Sequence, residues 1–191
     1  MGGTASRYRP TDLRMRSLFG VAIDWPISYD DLMPYYEEAE FETGVSGDPS
    51  FDEGAPRRTS FPMPPVPASY LDKKVAEVLP ALGLSLAVFP QFRNTLYYHD
   101  RPPCCGNASC IPICPIGAKW DASVHAAKAK HLNARLETDA VVTKIDVGVD
   151  GRVRGLRFLR PDLSEGKAKG KLFVIAAHAI ETPKLLLMSR S

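Results

Sequence analysis

The chain has 191 residues, of which 24 are Lys or Arg and 22 are Asp or Glu, so its net charge is +2 at pH 7. This balanced charge argues against a general nucleic-acid binder and against a protein that adheres to anionic membranes. No apolar stretch approaches the roughly 18 residues of a membrane span, so we expect no direct span. With 45% hydrophobic residues, the chain has enough apolar side chains to form a buried core.

The first predicted helix lies in residues 24–44. Ser28 is the expected N-cap, Asp31 completes the capping pair and Gly44 is the expected stop. Pro34 lacks a backbone N–H, so we expect it to separate the first turn from the rest of the helix. The residues expected on the inward stripe are Leu32, Tyr35, Tyr36, Ala39 and Thr43.

A second helix is predicted from Ser69 to about Leu82, with Ser69 and Asp72 as its capping pair and Gly83 at its end. Its apolar side chains are expected on one face. The short apolar run over residues 84–89 predicts a strand.

A third, Ala-rich helix is predicted over residues 122–135, and the pattern then changes to the period of two that is typical of strands. Residues 140–147 and 153–159 predict a hairpin around Asp150 and Gly151. The continuous apolar run over residues 172–177 predicts a strand buried on both faces. A helix is predicted to start at Thr182 and Pro183.

The cysteine segment, residues 101–118, contains the most informative pattern, because all four cysteines lie within eleven residues. Clustered thiolates bind Zn²⁺, Cu(I) or iron–sulfur clusters. No pair of C-x2-C knuckles, which zinc sites usually contain, is present. Cys110, Cys114 and Pro115 match the end of the bacterial ferredoxin run, so an iron–sulfur cluster is the favoured interpretation.

Two alternatives for the cysteine segment stay open. Adjacent Cys104 and Cys105 are compatible with a strained disulfide, or the four thiols are simply structural. Zinc is the other alternative, because a histidine could complete the ligand set; the candidates are His99, His125 and His131.

The cysteine segment from Pro103 to Ala118, Cys-Cys-Gly-Asn through Cys-Ile-Pro-Ile-Cys-Pro-Ile-Gly, resembles the cluster-binding insertion of the iron–sulfur branch of the glucose–methanol–choline (GMC) oxidoreductases. That branch includes the catalytic subunits of bacterial FAD-dependent glucose, gluconate, sorbitol and fructose dehydrogenases. Three further stretches agree in the same order along the chain: residues 8–17, 24–36 and 180–189. The resemblance implies an α/β fold with α+β character, an interior fragment of a GMC-type FAD-binding fold.

The resemblance also implies a function. In that branch FAD oxidises a CH–OH group of a sugar or polyol, and electrons pass through a [3Fe-4S] cluster to a cytochrome c subunit. A small chaperone-like subunit supplies the export signal, so the resemblance implies a periplasmic protein that is membrane-associated through a partner. Without its partner we expect the chain to be cytoplasmic.

The resemblance assigns the cluster ligands to Cys104, Cys105 and Cys110, with Cys114 nearby as a non-ligand. Spacing alone suggests that all four cysteines bind a [4Fe-4S] cluster. The position that matches the family's contact with the FAD adenine is Val142. The resemblance divides the chain into a helical and irregular region, residues 1–135, with the cluster insertion at about 101–118, and part of an FAD-binding domain, residues 136–191.

Two motifs of the family are missing: the G-x-G-x-x-G loop that binds the FAD pyrophosphate, and the C-terminal His and Asn or His pair. We therefore expect the chain to be a slice of a longer protein, inactive by itself, with no catalytic residue of its own. The alternatives are a stand-alone metal-binding or electron-transfer module and an inactive gene fragment.

Overall fold

A computed structural model describes residues 3–51, 54–106 and 109–190, so Asn107 of the cysteine segment lies outside the described residues. The chain divides into two compact units, Met1–His125 and Ala126–Ser191. The described part contains helices and an antiparallel sheet, so the expected mixed α/β class is confirmed. None of the described helices is both long and apolar enough to cross a membrane.

The first unit contains three helices, α1 (Met15–Phe19), α2 (Tyr29–Thr43) and α3 (Tyr70–Val78), and the first residues of α4 (Ala122–His131). Short 3-10 turns at Pro10–Arg14 and Leu79–Leu82 adjoin α1 and α3. Both predicted capping pairs are confirmed, because the Ser28 and Ser69 side chains accept hydrogen bonds from the backbone N–H groups of Asp31 and Asp72.

Helix α2 differs from its prediction in two ways. It continues through Pro34, because the capping box at Ser28 holds its first turn although Pro34 donates no hydrogen bond. Tyr35 and Ala39, both expected to face inward, are exposed, and Tyr35 is 68% exposed. The buried positions instead include Glu40, whose charge is paired with Arg7, and the full buried set of α2 is Tyr29, Met33, Glu40 and Thr43.

An extended segment over residues 90–94 forms backbone hydrogen bonds with several other parts of the first unit. Ser46 and Gln91 exchange backbone hydrogen bonds of 2.9 Å, and Phe92 accepts one of 2.8 Å from the N–H of Trp120. The pairs form isolated bridges and not a regular sheet. The predicted strand over residues 84–89 is wrong, because these residues form no ladder with any described strand and Leu84 and Phe89 are half exposed.

The second unit contains the rest of α4, a three-stranded antiparallel sheet of order β1 (Val141–Val147), β2 (Val153–Leu159) and β3 (Glu165–Ala168), and α5 (Glu181–Met188). The predicted hairpin is confirmed. Helix α4 ends earlier than expected, because Asn133 adopts a left-handed conformation that stops it. The sequence of strand β3 has no apolar alternation from which the strand could have been predicted. Gly166 pairs with Phe158, whose ring occupies the space that a side chain at 166 would need.

The strand predicted over residues 172–177 is wrong for the described chain. These residues form no ladder with the sheet, and the Leu172 and Val174 side chains are 82% and 79% exposed. A strand buried on both faces needs neighbouring strands and covering layers, and the described residues of this unit supply neither for this run.

Candidate functional site

Asn94 closes the base of the cysteine segment. Its backbone N–H donates to the carbonyl oxygen of Ala118 at 2.9 Å, and its carbonyl oxygen accepts a hydrogen bond of 2.8 Å from the N–H of Cys104. The side chain, which is fully buried, donates through Nδ2 to the carbonyl oxygens of Tyr98 at 3.0 Å and Arg101 at 2.9 Å. Both ends of the segment are therefore fixed to one residue.

The four cysteines have different environments, and all are thiols rather than disulfides. The disulfide interpretation of Cys104 and Cys105 is therefore not supported. Cys104 is half-buried, and its Sγ accepts a hydrogen bond of 3.5 Å from the N–H of Gly106. Cys105 is exposed, whereas Cys110 is buried and its carbonyl oxygen accepts a hydrogen bond of 2.5 Å from Lys119 Nζ.

Cys114 is half-buried beside a series of backbone donors. Burial would raise the pKa of its thiol, but hydrogen bonds from the backbone N–H groups of residues 116–119 outweigh burial and lower the pKa below its ordinary value. Such an environment favours the thiolate, the form that binds metals.

Among the described residues, no three His, Cys, Asp or Glu side chains lie close enough together to bind a metal ion. The chemical type of these side chains nevertheless fits an iron–sulfur cluster, because four thiols lie in one short segment whose two ends are fixed. Loading a cluster would require the segment between Cys104 and Cys114 to draw these thiols closer.

Two of the histidines considered for zinc are engaged elsewhere. His99 Nε2 lies 3.1 Å from the carbonyl oxygen of Phe41. His125 Nδ1 accepts a hydrogen bond of 2.8 Å from Trp120 Nε1, so its Nε2 carries the proton in the neutral ring and donates to Glu42 Oε1 at 3.1 Å. His131 is exposed at the end of α4. These contacts disfavour the zinc alternative.

Val142 lies on β1, an edge strand of the described sheet, and pairs with Phe158 of β2. A bulge follows between Val142 and Lys144. An edge strand leaves one row of backbone groups without a strand partner, and the resemblance to the family implies a backbone contact with the FAD adenine at this position. Along the same strand, Ile145 N–H donates to Ser189 Oγ at 2.9 Å, so α5 is fixed to β1.

Sequence reasoning missed Asn94, Arg101 and Lys119, which hold the cysteine segment in place. They lie in irregular backbone, where no periodic pattern marks a buried side chain. Arg101 and Lys119 lie three residues before Cys104 and five residues after Cys114, which was the one available signal, whereas Asn94 lies ten residues before Cys104 and had none.

Comparisons with known proteins agree with one another. A family model described as GMC oxidoreductase matches residues 81–190. The chain is 44% identical over 186 residues to the fructose dehydrogenase large subunit of Gluconobacter japonicus, covering 96% of this chain and 34% of that protein. It is 34% identical over 201 residues to the 6'''-hydroxyparomomycin C oxidase of Streptomyces lividus, covering 100% of this chain and 36% of that protein.

A third relative is the 2-methyl-1,2-propanediol dehydrogenase of Mycolicibacterium austroafricanum, 33% identical over 193 residues, with 96% of this chain and 34% of that protein covered. The chain therefore spans about a third of the length of these relatives.

Proposed function

Because the chain belongs to the GMC oxidoreductase family, we propose that it is part of an FAD-dependent dehydrogenase that oxidises a CH–OH group of a sugar or polyol. Electrons would leave through an iron–sulfur cluster to a cytochrome-type acceptor. The observation that supports this most is the pair of hydrogen bonds by which Asn94 fixes both ends of a segment with four thiols.

The substrate class rests on the relatives. The names of three of them refer to fructose, to a hydroxyparomomycin and to a propanediol, all of which contain oxidisable hydroxyl groups. The highest identity among these is to the fructose enzyme, which favours a sugar or polyol over a simple alcohol.

We assign the cluster ligands to Cys104, Cys105 and Cys110 of a [3Fe-4S] cluster, with Cys114 as the fourth ligand if the cluster is [4Fe-4S]. When bound, such a cluster accepts and releases one electron at a time. The chain's own contribution is to hold the thiols. Asn94 fixes Cys104, and Lys119 fixes the backbone of Cys110. The buried position of Cys110 would shield its thiolate from water.

We assign the backbone of Val142 to the adenine of FAD, on the edge of β1. The pairing of β1 with β2, and the hydrogen bond from Ile145 to Ser189, would keep this edge in place. Partners are also proposed: a small chaperone-like subunit and a cytochrome c subunit, with a periplasmic location. The relative's description as a large subunit supports an assembly of more than one chain.

The test uses the complete gene product, purified without oxygen. We expect bound flavin, iron with acid-labile sulfide, and an EPR signal from the cluster. Flavin reduction by a panel of sugars, polyols and simple alcohols then identifies the substrate class. Absence of iron in protein that contains flavin would overturn the electron relay, and reduction by none of the sugars or polyols would overturn the substrate class.

Cysteine-to-serine variants test the ligand assignment. Cys104→Ser, Cys105→Ser and Cys110→Ser should each lose the cluster signal and retain flavin reduction by substrate. Cys114→Ser is the matched control from the same segment. A cluster that is [3Fe-4S] in both the wild type and Cys114→Ser supports three ligands. Conversion of a wild-type [4Fe-4S] cluster to [3Fe-4S] in this variant, or its loss, supports four.

A further inference from the structure

A groove of about 570 Å³ lies beside the C-terminal half of α2 in the first unit, and its walls combine aromatic rings with carboxylates. The residues that form these walls include Tyr35, Glu38, Phe41, Glu42, Tyr98 and His99. Tyr35, Glu38 and Glu42 follow the spacing i, i+3 and i+7, which places them on one face of α2. Tyr35 and Phe41 are 68% and 44% exposed, so their rings are accessible from solvent.

The wall opposite α2 is a tight turn that is held in place. Tyr98 and Arg101 exchange backbone hydrogen bonds of 3.1 Å, and the two residues between them, His99 and Asp100, adopt left-handed conformations with φ of 47° and 57°. Residues other than glycine adopt this conformation at a cost, so the surrounding contacts must hold the turn. The Tyr98 hydroxyl donates to the carbonyl oxygen of Phe41 at 2.9 Å, and His99 Nε2 lies 3.1 Å from the same oxygen. A wall fixed in this way lowers the entropy that binding would cost.

The charge of the groove favours a cation. Glu38 is exposed and forms no ion pair with any described residue, whereas Glu42 accepts a hydrogen bond of 3.1 Å from His125 Nε2. The last turn of α2 contains no basic residue, although the helix dipole is negative there. Arg101 donates to the carbonyl oxygen of Thr43 at this helix end, but its side chain does not line the groove. The Glu38 carboxylate is therefore available to a cation from outside the chain.

We propose that this groove binds an arginine-containing segment of a partner protein. A guanidinium can stack on an aromatic ring while it pairs with a carboxylate, which an ammonium group does less well. The first unit already contains this combination, because Arg57 lies 3.4 Å from the centre of the Phe61 ring and 2.8 Å from Glu40 Oε2. In the groove, Tyr35 would supply the ring and Glu38 the carboxylate.

The shape of the groove favours a polypeptide over a free small molecule. Small-molecule sites are concave and bury most of their ligand. This groove is open instead, since the side chains of Tyr35 and His99 on its two walls are both exposed. An extended segment can lie along such a surface and place single side chains in it. None of the residues in this argument belongs to the cysteine segment, so the inference does not depend on the proposed electron relay.

The experiment measures binding of a fluorescently labelled hexa-arginine peptide to the complete gene product by fluorescence anisotropy. Tyr35→Ala and Glu38→Gln should each weaken binding by about three- to fivefold, whereas Tyr35→Phe keeps the ring and should stay within about twofold of the wild type. The matched controls are Tyr70→Ala and Glu77→Gln, which remove an exposed ring and an exposed carboxylate from α3 and should leave binding unchanged. Salt should reduce the effect of Glu38→Gln more than that of Tyr35→Ala.

Three results would overturn the inference. Equal losses in the groove variants and in the α3 controls would show that the peptide binds to acidic surface in general. Displacement of the peptide by an equal concentration of free arginine amide would assign the groove to a small cation. Absence of binding to the wild type would exclude a partner segment, and a greater loss of stability in Tyr35→Ala than in Tyr70→Ala would then assign the groove to another part of the gene product. Flavin and iron contents test the proposed function separately from all three.

Discussion

The backbone N–H of Cys104 donates a hydrogen bond of 2.8 Å to the carbonyl oxygen of Asn94. This contact joins the first cysteine of the segment to the backbone of a residue whose side chain is fully buried and donates two further hydrogen bonds, to the carbonyl oxygens of Tyr98 and Arg101. A ligand segment fixed at its base has less conformational entropy to lose when it closes around a cluster.

Asn94→Ala should destabilise the protein by about 2–4 kcal/mol, since it removes the two hydrogen bonds that this fully buried side chain donates and creates a cavity. Chemical denaturation measures the loss, and iron content measures cluster retention. Thr95→Val is the control: its exposed hydroxyl donates to the carbonyl oxygen of Pro64, so its removal should have a small effect. Equal effects of the two substitutions would contradict the role of Asn94.

Glu40→Gln should lower the free energy of unfolding by about 3–5 kcal/mol, because it leaves the buried guanidinium of Arg7 and the half-buried guanidinium of Arg57 without their shared carboxylate. Glu40 accepts hydrogen bonds from Arg7 at 2.8 and 2.9 Å and from Arg57 at 2.8 and 2.9 Å. Burial alone would lower the pKa of Arg7, but hydrogen bonds to Glu40 and Tyr29 raise it.

Chemical denaturation of Glu40→Gln is compared with that of Glu77→Gln on α3, whose ion pair with Lys74 is exposed. The exposed pair should contribute less than about 1 kcal/mol. A loss as small for Glu40→Gln as for Glu77→Gln would show that the buried network adds little stability.

The capping box of α2 predicts a pH dependence. Hydrogen bonds from the side chain and backbone of Ser28 lower the pKa of Asp31 below its ordinary value of 3.8. Folding lowers this pKa, so the capping bonds stabilise the protein at pH values above the ordinary pKa. This contribution is lost as the pH falls through the lowered pKa.

An NMR titration of the Asp31 carboxyl group should give a midpoint below 3.8, and Ser28→Ala should move it upward. Asp30→Asn is the control, because Asp30 lies in the same turn but does not bond to Ser28. A midpoint that Ser28→Ala leaves unchanged would contradict the assigned cause.

Local patterns predicted the helices and the hairpin well. Ser28 with Asp31, Ser69 with Asp72, and the turn at Asp150 and Gly151 involve residues close in sequence, so their chemistry is visible in the sequence.

Long-range contacts were not visible in the same way. Burial of Glu40 depends on Arg7 and Arg57, which are 33 and 17 residues away, and the exposure of residues 172–177 depends on which elements surround them. The cysteine spacing predicted a candidate site, but the residues that hold it were found only from the structure.

Cys114 should react as a thiolate at lower pH than an ordinary cysteine. Backbone N–H groups of residues 116–119 lower its pKa below 9.0 in spite of burial. In folded, cluster-free protein, the rate of iodoacetamide alkylation at Cys114, followed by mass spectrometry, should reach half its maximum below pH 9.0. In urea the midpoint should rise, since the backbone donors are lost. A midpoint that urea does not change would contradict the effect of those donors.

Gly44→Ala should destabilise the protein more than Gly83→Ala, although both glycines adopt left-handed backbone conformations, with φ of 77° and 70°. Each substitution has a backbone cost of about 1–2 kcal/mol. At Gly83 the new methyl group meets nothing within 4 Å, whereas at Gly44 it meets Arg101 Nη2 and Tyr98 Cδ1, both at 2.9 Å. Only Gly44→Ala must therefore displace Arg101.

The difference between the two variants in chemical denaturation isolates the crowding, because the backbone strain is shared. In the complete gene product, Gly44→Ala should also lower the iron content, whereas Gly83→Ala should retain it, since displacement of Arg101 disturbs the turn that Asn94 connects to Cys104. Equal stabilities and equal iron contents in the two variants would show that this turn tolerates movement of Arg101, and that the cysteine segment is fixed through Asn94 alone.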